Sequence, residues 1–226
     1  MKLTNNSVLI LLPVFNESQV IYSVIKSIQR EEWKNILVVD DGSTDDTYQK
    51  AKESGAIILR HVINRGKGAA IKTGLEAAKK MGSEIVVTLD SDGQHNPKDI
   101  KKMVKQIKKG SDVVLGIRDF RKRNIPRYKV FLNYLGNILT WMFYGLWVSD
   151  SQSGFRVYNK KAFSLIRINN DRYEFETEIV REIVRNNLKW TEKIVDVRYS
   201  DYDQNKKNKQ SISSAIKTII KLALFG

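Results

Sequence analysis

Apolar positions fall into two recurring patterns along the chain. Short β-branched runs occur at Ser7 to Leu12, Ile36 to Val39, Ala56 to Leu59, Val86 to Leu89 and Asp112 to Ile117. Runs of this length, bounded by Gly, Asp and Asn, read as buried strands. Between them apolar residues return at helical spacing. Val20, Ile21, Val24, Ile25 and Ile28 follow the first strand, a second helix reaches about Ser54, and a third, rich in small residues, spans Gly68 to Met81. Asn16 is placed to cap the first helix; Asn96 and Pro97 suit the cap and first position of a helix before the fifth strand. The alternation predicts an α/β fold with a mostly parallel central sheet, helices on both faces and right-handed crossovers. No internal repeat or low-complexity linker interrupts it.

In such a sheet, ligands bind beyond the carboxyl ends of the strands. Four polar loops are expected there: Pro13 to Glu17, Asp40 to Asp45, Asn64 to Gly68, and Asp90-Ser91-Asp92. Any one of them also reads as an ordinary turn, since Gly, Asn and Asp are turn formers. Four on one edge point to a site. Asp90 and Asp92 alternate after a strand, and Gly93 lets the chain bend so that both carboxylates can face one hard cation such as Mg2+ or Mn2+. Gly66-Lys67-Gly68 lacks the spacing of a Walker loop or a dinucleotide fingerprint, which removes support for an ATPase or a Rossmann dehydrogenase.

Composition narrows the class. With 226 residues and 42% hydrophobic content, the chain can bury one good core, as one domain with an appendage. It has no cysteine, hence no thiolate chemistry, and the apolar run Val8 to Leu12, cut by Pro13, is too short for a signal peptide. Thirty-nine Lys and Arg against 25 Asp and Glu give a net charge of +14. That excess implies anionic company: nucleic acid, an acidic membrane surface or phosphorylated substrates.

With these motifs in place, the chain from about Val8 to Val197 resembles the family 2 glycosyltransferases of GT-A fold, and among them the dolichyl-phosphate mannose or glucose synthases and their bacterial polyprenyl-phosphate relatives. The second half carries the resemblance through Gly116-Ile117-Arg118, Asp150-Ser151-Gln152-Ser153-Gly154-Phe155-Arg156 and Tyr173 to Glu178. The resemblance implies that Pro13, Asn16, Glu17, Asp40, Asp41 and Gly42 cradle the donor nucleotide, with Arg65 and Lys67 lining the donor site. It implies that Asp90, Asp92 and Gln94 hold a divalent cation, Mg2+ or Mn2+, on the donor diphosphate. Asp150, Ser153, Gly154 and Arg156 would close the sugar and acceptor side, and Glu178, with Glu174 one turn before it, matches the family's glutamate. The expected organisation is a nucleotide-sugar core (1–118), an acceptor and membrane-interface half (119–200), and a basic loop with a C-terminal amphipathic helix (201–226). The chain departs from the family at Asp203 to Ser211, where lysines such as Lys206 and Lys209 stand in place of a Gly-x-Ser-Lys-like segment.

The chemistry so implied is inverting transfer of a hexose, mannose or glucose, from a GDP- or UDP-sugar to a polyprenyl phosphate. A phosphate monoester is largely dianionic at neutral pH and attacks without a general base, whereas a hydroxyl acceptor would need one, Glu178 or Glu174. The phosphate instead needs guanidinium forks, for which Arg118, Arg127 and Arg156 are candidates, with Lys129 a weaker one. A basic stretch from Arg118 to Lys129 precedes Val130 to Ser149, which has no charged residue. Asn133, Asn137 and Thr140 fall on one stripe of it, favouring one or two interfacial helices with Trp141, Phe143, Tyr144 and Trp147 at headgroup level over a spanning helix. Asn137 is then a candidate on the acceptor side. Ile212, Ile216, Ile219, Ile220, Ala223 and Leu224 form another apolar stripe, too short to span, so attachment is expected to be peripheral, at the cytoplasmic face of an anionic membrane. His95 is read as orienting the metal ligands, His61 as a surface residue, and Lys101, Lys102, Lys105, Lys108 and Lys109 as a solvated face. A nucleic-acid-binding protein remains the non-enzymatic alternative, without a recognisable motif, so nucleic acid is not an expected partner.

Overall fold

The structure is a computed structural model that describes residues 7–119, 127–171 and 175–197, with the side chains of residues 127–132 and 139 outside the description. Tyr173, Glu174, the side chains of Arg127 and Lys129, the Lys206 to Lys209 loop and the C-terminal stripe from Ile212 lie outside the described residues.

Each strand predicted from an apolar run forms, and the helices follow them; four are buried, but the Ala56 to Leu59 run is an edge strand of the sheet with Ile57 and Leu59 exposed. The order is β1 (Val8–Val14), α1 (Ile21–Arg30), β2 (Ile36–Asp40), α2 (Thr47–Glu53), β3 (Ile57–Arg60), α3 (Lys67–Lys80), β4 (Ile85–Thr88), α4 (Asp99–Lys108) and β5 (Val113–Arg118). Beyond the predicted alternation come α5 (Arg127–Tyr144), β6 (Arg156–Asn159), α6 (Lys160–Leu165), α7 (Phe175–Arg185) and β7 (Trp190–Val195). One mixed sheet results, ordered β3-β2-β1-β4-β6-β5-β7. β6 runs antiparallel to both β4 and β5, and the other pairings are parallel.

Because side chains alternate across a strand, β1 feeds two cores. Val8, Ile10, Leu12 and Val14 pack with Ile21, Ile25 and Ile28 of α1 and Ile100 and Met103 of α4. Leu9 and Leu11 pack on the opposite face with Ala70, Ile71 and Leu75 of α3, Phe163 of α6, and Phe175 and Ile179 of α7. Burial on both faces is why the strand reads as a continuous apolar run rather than an alternating one. The lysines Lys101, Lys102, Lys105, Lys108 and Lys109 are exposed on α4, as expected.

Three local expectations are corrected. Asn16 does not cap α1: it adopts φ +53°, a left-handed conformation that Asn tolerates, and α1 begins at Ile21. Asn96 forms a turn ahead of α4, its Oδ1 accepting from the Lys98 amide at 3.1 Å, and the helix starts at Asp99. His61 is no surface residue, since its side chain is only 10% exposed.

Asp112 ties the sheet's far side together. Its carboxylate accepts from the Lys189 amide (2.9 Å), Asn159 Nδ2 (2.8 Å) and Lys161 Nζ (3.1 Å). Burial works against its charge, but these hydrogen bonds prevail and hold its pKa below the usual carboxylate value. A depressed folded pKa means that the stabilisation is complete above the unfolded value of about 3.9 and is lost as the pH falls through the folded one. Asp112→Asn is therefore expected to lower stability by about 1–3 kcal/mol at pH 7, with the gap to wild type narrowing below about pH 4, as read by urea unfolding at both pH values.

Candidate active site

The topology brings six segments to one edge. β1, β2, β4 and β5 all point their carboxyl ends there, and α3 and α7, each leading into a parallel strand, begin there. β6 runs the other way, so its first residue, Arg156, pairs with Thr88 at the end of β4. The residues before Arg156 are thereby laid beside Asp90: Thr88 Oγ1 donates to the Gly154 carbonyl at 2.9 Å, and a Cβ on Gly154 would overlap the Asp90 carboxylate. Glycine is required there by contact, whatever its backbone angle.

Asp90 is the focus of the edge. Lys67 Nζ, on the first residue of α3, lies 2.6 Å from Asp90 Oδ1 and 3.1 Å from Glu176 Oε1 in the first turn of α7. The Phe175 ring lies 5.6 Å from the same ammonium. His95 Nε2 approaches Asp90 Oδ2 at 3.4 Å while its ring packs edge-on against Phe155, consistent with an orienting task. Burial disfavours every charge in this group. For Lys67 the Asp90 and Glu176 carboxylates outweigh burial and raise its pKa, and for Asp90 the Lys67 ammonium outweighs it and holds the carboxyl well below the usual range. For Glu176 burial wins over Lys67 and pushes the pKa up.

Asp92 sits in the following turn, its Oδ1 accepting from the Gln94 amide at 3.0 Å, with Gly93 at φ +82° making the bend. Among the described residues no group of three or more His, Asp or Glu side chains is spaced as a complete metal cage. Two carboxylates and an amide side chain nevertheless suit a hard cation that takes its remaining ligands from diphosphate oxygens and water, as Mg2+ commonly does. The donor set fits the divalent cation expected from the sequence, with Lys67 resting on one of its oxygens.

On the nucleotide side the expected residues gather, but several have other tasks. Asn16 is stitched to the loop after β2, its amide donating to Ser43 Oγ (3.0 Å) and its Oδ1 accepting from the Thr44 amide (2.9 Å). The Glu17 amide donates to Thr47 Oγ1 at 2.8 Å, and Pro13 is buried within β1. Asp40, fully buried, accepts from the Ser43 amide at 2.9 Å and pairs with Arg60 at 3.2 Å. Asp41 accepts from His61 (2.6 Å) and the amides of Arg65 (3.0 Å) and Gly66 (2.6 Å), and His61 also contacts Thr73 Oγ1 at 2.9 Å. Asp40 and Asp41, expected beside the nucleotide, both have their carboxylates engaged with the loops around them. Gly42 has φ +75°, and a Cβ there would stand 2.6 Å from the Ile63 carbonyl carbon, so this loop and the 61–66 loop touch backbone to backbone. Arg65 is half exposed and lies 3.7 Å from Asp171.

On the acceptor side the expectation for Arg156 is corrected. Its guanidinium, 2% exposed, donates to the carbonyls of Ser153 (3.0 Å), Glu176 (3.0 Å) and Ser151 (2.7 Å), so it is a buried post under the 151–154 loop. Asp150 forms no pair with it; Asp150 accepts two side-chain bonds from Arg118, at 2.7 and 2.8 Å, and one from the Arg118 amide. Asn137 is likewise a clamp, donating to the Ser149 carbonyl (2.8 Å) and accepting from the Ser151 amide (3.1 Å). Asn133 adds a second bond to Ser149 at 3.2 Å, and Glu192 holds the amide and hydroxyl of Ser149. The polar stripe of α5 thus grips the loop leading into the site, leaving Tyr134, Trp141, Met142, Phe143 and Trp147 exposed. The uncharged stretch is helical up to Tyr144, as part of α5, and irregular from Gly145 to Ser149, and among the described residues no helix is long and apolar enough to cross a membrane.

Glu178, in the first turn of α7 like Glu176, is engaged with a neighbouring turn. Its Oε2 accepts from the amides of Asn169 and Asn170 and from Asn170 Nδ2, and its Oε1 from Arg181, which shapes the 167–171 turn. The carboxylate beside Lys67 is Glu176, which the sequence reading missed. A signal was present: Glu178 and Arg181, and Glu182 and Arg185, form i,i+3 ion pairs linked through an Arg181–Glu182 contact, the pattern of a self-contained helix face, whereas Glu176 falls outside it.

The comparisons identify the family and the fold. The model of the family "Glycosyl transferase family 2" matches residues 9–167. An uncharacterised protein of Methanocaldococcus jannaschii is 34% identical over 99% of this chain and 93% of its own length. The UDP-N-acetylglucosamine–dolichyl-phosphate N-acetylglucosaminyltransferase of Methanococcus voltae is 33% identical over 85% of this chain and 86% of its own. Glucosyl-3-phosphoglycerate synthase of Mycobacterium tuberculosis, solved with Mn2+, UDP and phosphoglyceric acid, superposes with a TM-score of 0.72 over 96% of this chain and 77% of its own, at 21% identity, a likeness of fold.

Removing the His61 side chain should release the clamp on Asp41. His61→Ala is expected to cost about 1–3 kcal/mol in urea unfolding and to speed amide exchange at Arg65 and Gly66, with β4 exchange following only the global change.

Proposed function

The chain belongs to glycosyl transferase family 2, and from that premise we propose that it transfers a hexose or N-acetylhexosamine from a nucleotide sugar to a polyprenyl phosphate at a membrane surface, with inversion at the anomeric carbon. Mannose and glucose are the sugars the motifs suggest, and the Methanococcus voltae relative adds N-acetylglucosamine from UDP. Residues 1–118 would serve the donor, 119–200 the acceptor and membrane, and 201–226 peripheral attachment, at the cytoplasmic face of an anionic membrane.

Asp90, Asp92 and Gln94 would hold Mg2+ or Mn2+, which supplies Lewis-acid neutralisation of the charge growing on the departing diphosphate. Lys67 adds a fixed positive charge at the same edge, 2.6 Å from Asp90. With Asp40 and Asp41 engaged in the loops around Gly42, Asn16, Glu17 and Arg65 would border the nucleotide. The Arg118–Asp150 pair, with Ser153 and Gly154, would border the acceptor side, and Arg127, whose side chain lies outside the described residues, is a candidate for the acceptor phosphate.

The observation that carries the acceptor assignment is the orientation of α5. Its polar stripe is bonded to the loop entering the site, and its aromatic face, with Tyr134 edge-on to Trp147 at 6.0 Å, is exposed. Such a face suits the interface where a lipid phosphate would be presented. Of the two bases considered for a hydroxyl acceptor, Glu178 is engaged with the 167–171 turn and Glu174 lies outside the described residues, whereas a dianionic phosphate requires no base.

Release of nucleoside diphosphate from UDP-N-acetylglucosamine, UDP-glucose and GDP-mannose, with Mn2+ or Mg2+ and with or without a short polyprenyl phosphate, tests the proposal. Turnover is expected to require both metal and lipid phosphate and to fall by at least about a hundredfold in Asp92→Asn. Turnover on a saccharide acceptor without lipid phosphate would contradict it.

A further inference from the structure

The contact that the expected chemistry leaves unexplained is an ammonium resting on a metal ligand. Lys67 Nζ lies 2.6 Å from Asp90 Oδ1, an oxygen that a bound cation would need, and the side chain is held there from three sides. Gly154 packs against the Asp90 carboxylate and fixes its position, while Glu176 at 3.1 Å and the Phe175 ring at 5.6 Å provide further contacts for the same ammonium. Lys67 bridges two carboxylates on different elements, β4's exit and the first turn of α7.

We infer that Lys67 is the resident counter-ion of the cation site, holding Asp90 in ligand position until a divalent ion arrives and then giving up Asp90 while keeping Glu176. The inference rests on the reading that Asp90 and Asp92 bind a divalent cation. Two consequences follow from the geometry. An ion must displace a paired, partly exposed ammonium, so binding without nucleotide is weak; close like charges also repel, which adds to the cost while Lys67 remains near. Glu176 eases the displacement, because the partly buried ammonium keeps one carboxylate partner. Lys67 and Glu176 should therefore act on cation affinity in opposite directions, which no merely structural role for the pair predicts.

Mn2+ titration followed by electron paramagnetic resonance, without nucleotide, on the full chain and its variants decides the matter. Lys67→Met is expected to bind Mn2+ at least about tenfold more tightly than wild type, and Glu176→Gln at least about threefold more weakly. Asp92→Asn should abolish binding in each background. If wild type binds Mn2+ in an Asp92-dependent way and Lys67→Met binds no tighter, the counter-ion role is overturned while the metal site stands. If wild type and both variants fail to bind at millimolar Mn2+, the metal reading itself falls and the inference with it. Should Lys67→Met not fold, Glu176→Gln decides alone, and unchanged or tighter binding by that variant overturns the inference.

Discussion

One carboxylate, Asp90, has to be kept at the end of a buried strand, charged and aimed outward, in surroundings that penalise its charge. The structure meets that demand with the ammonium of Lys67 on one oxygen and the His95 ring near the other, and with the bare backbone of Gly154 filling the space where a side chain would push the carboxylate away. Each of these contacts comes from a different part of the chain. Lys67 opens α3, His95 lies beyond β4, and Gly154 precedes β6. The site cannot assemble until the sheet has.

The antiparallel strand β6 makes this possible. A parallel strand beside β4 would deliver its leading residues to the opposite edge, whereas β6 delivers Ser153, Gly154 and Phe155 directly to Asp90. Arg156 then holds that loop from below through three main-chain carbonyls. A buried guanidinium with its donors satisfied is costly to leave half-paired, which ties the loop, β6 and the start of α7 into one unit. The same arrangement recurs on the nucleotide side, where Asp41 gathers His61 and two amides to hold the loop that ends at Lys67.

Much of this was legible in the chain. Strands buried on both faces announce themselves as continuous apolar runs, and Asp90 and Asp92 stand out because carboxylates at strand ends have few places to go. Less legible was the direction in which a polar side chain works. Asp40, Asp41, Asp150 and Arg156 belong to functional motifs, yet their hydrogen-bonding groups face loop backbone or neighbouring side chains, and sequence spacing does not reveal that. Glu176 and Glu178 differ by two positions, which on a helix is a change of face. The resemblance selected the one that the ion-paired row keeps for itself. Asn133, Asn137 and Thr140 were read correctly as a stripe, but its partner, the Ser149 to Ser151 backbone, lies too close in sequence and too irregular in form for periodicity to foresee.

The central claim is that Asp90 and Asp92 form a divalent-cation site at which Lys67 is displaced toward Glu176. Crystals grown with Mn2+ and a nucleoside diphosphate, measured at the manganese absorption edge, test it most directly. The account predicts an anomalous peak bonded to Asp90 and Asp92, with Lys67 Nζ no longer on Asp90 Oδ1 and still paired with Glu176. A manganese ion bound elsewhere, or one bound here with the Lys67 to Asp90 contact intact, would contradict it.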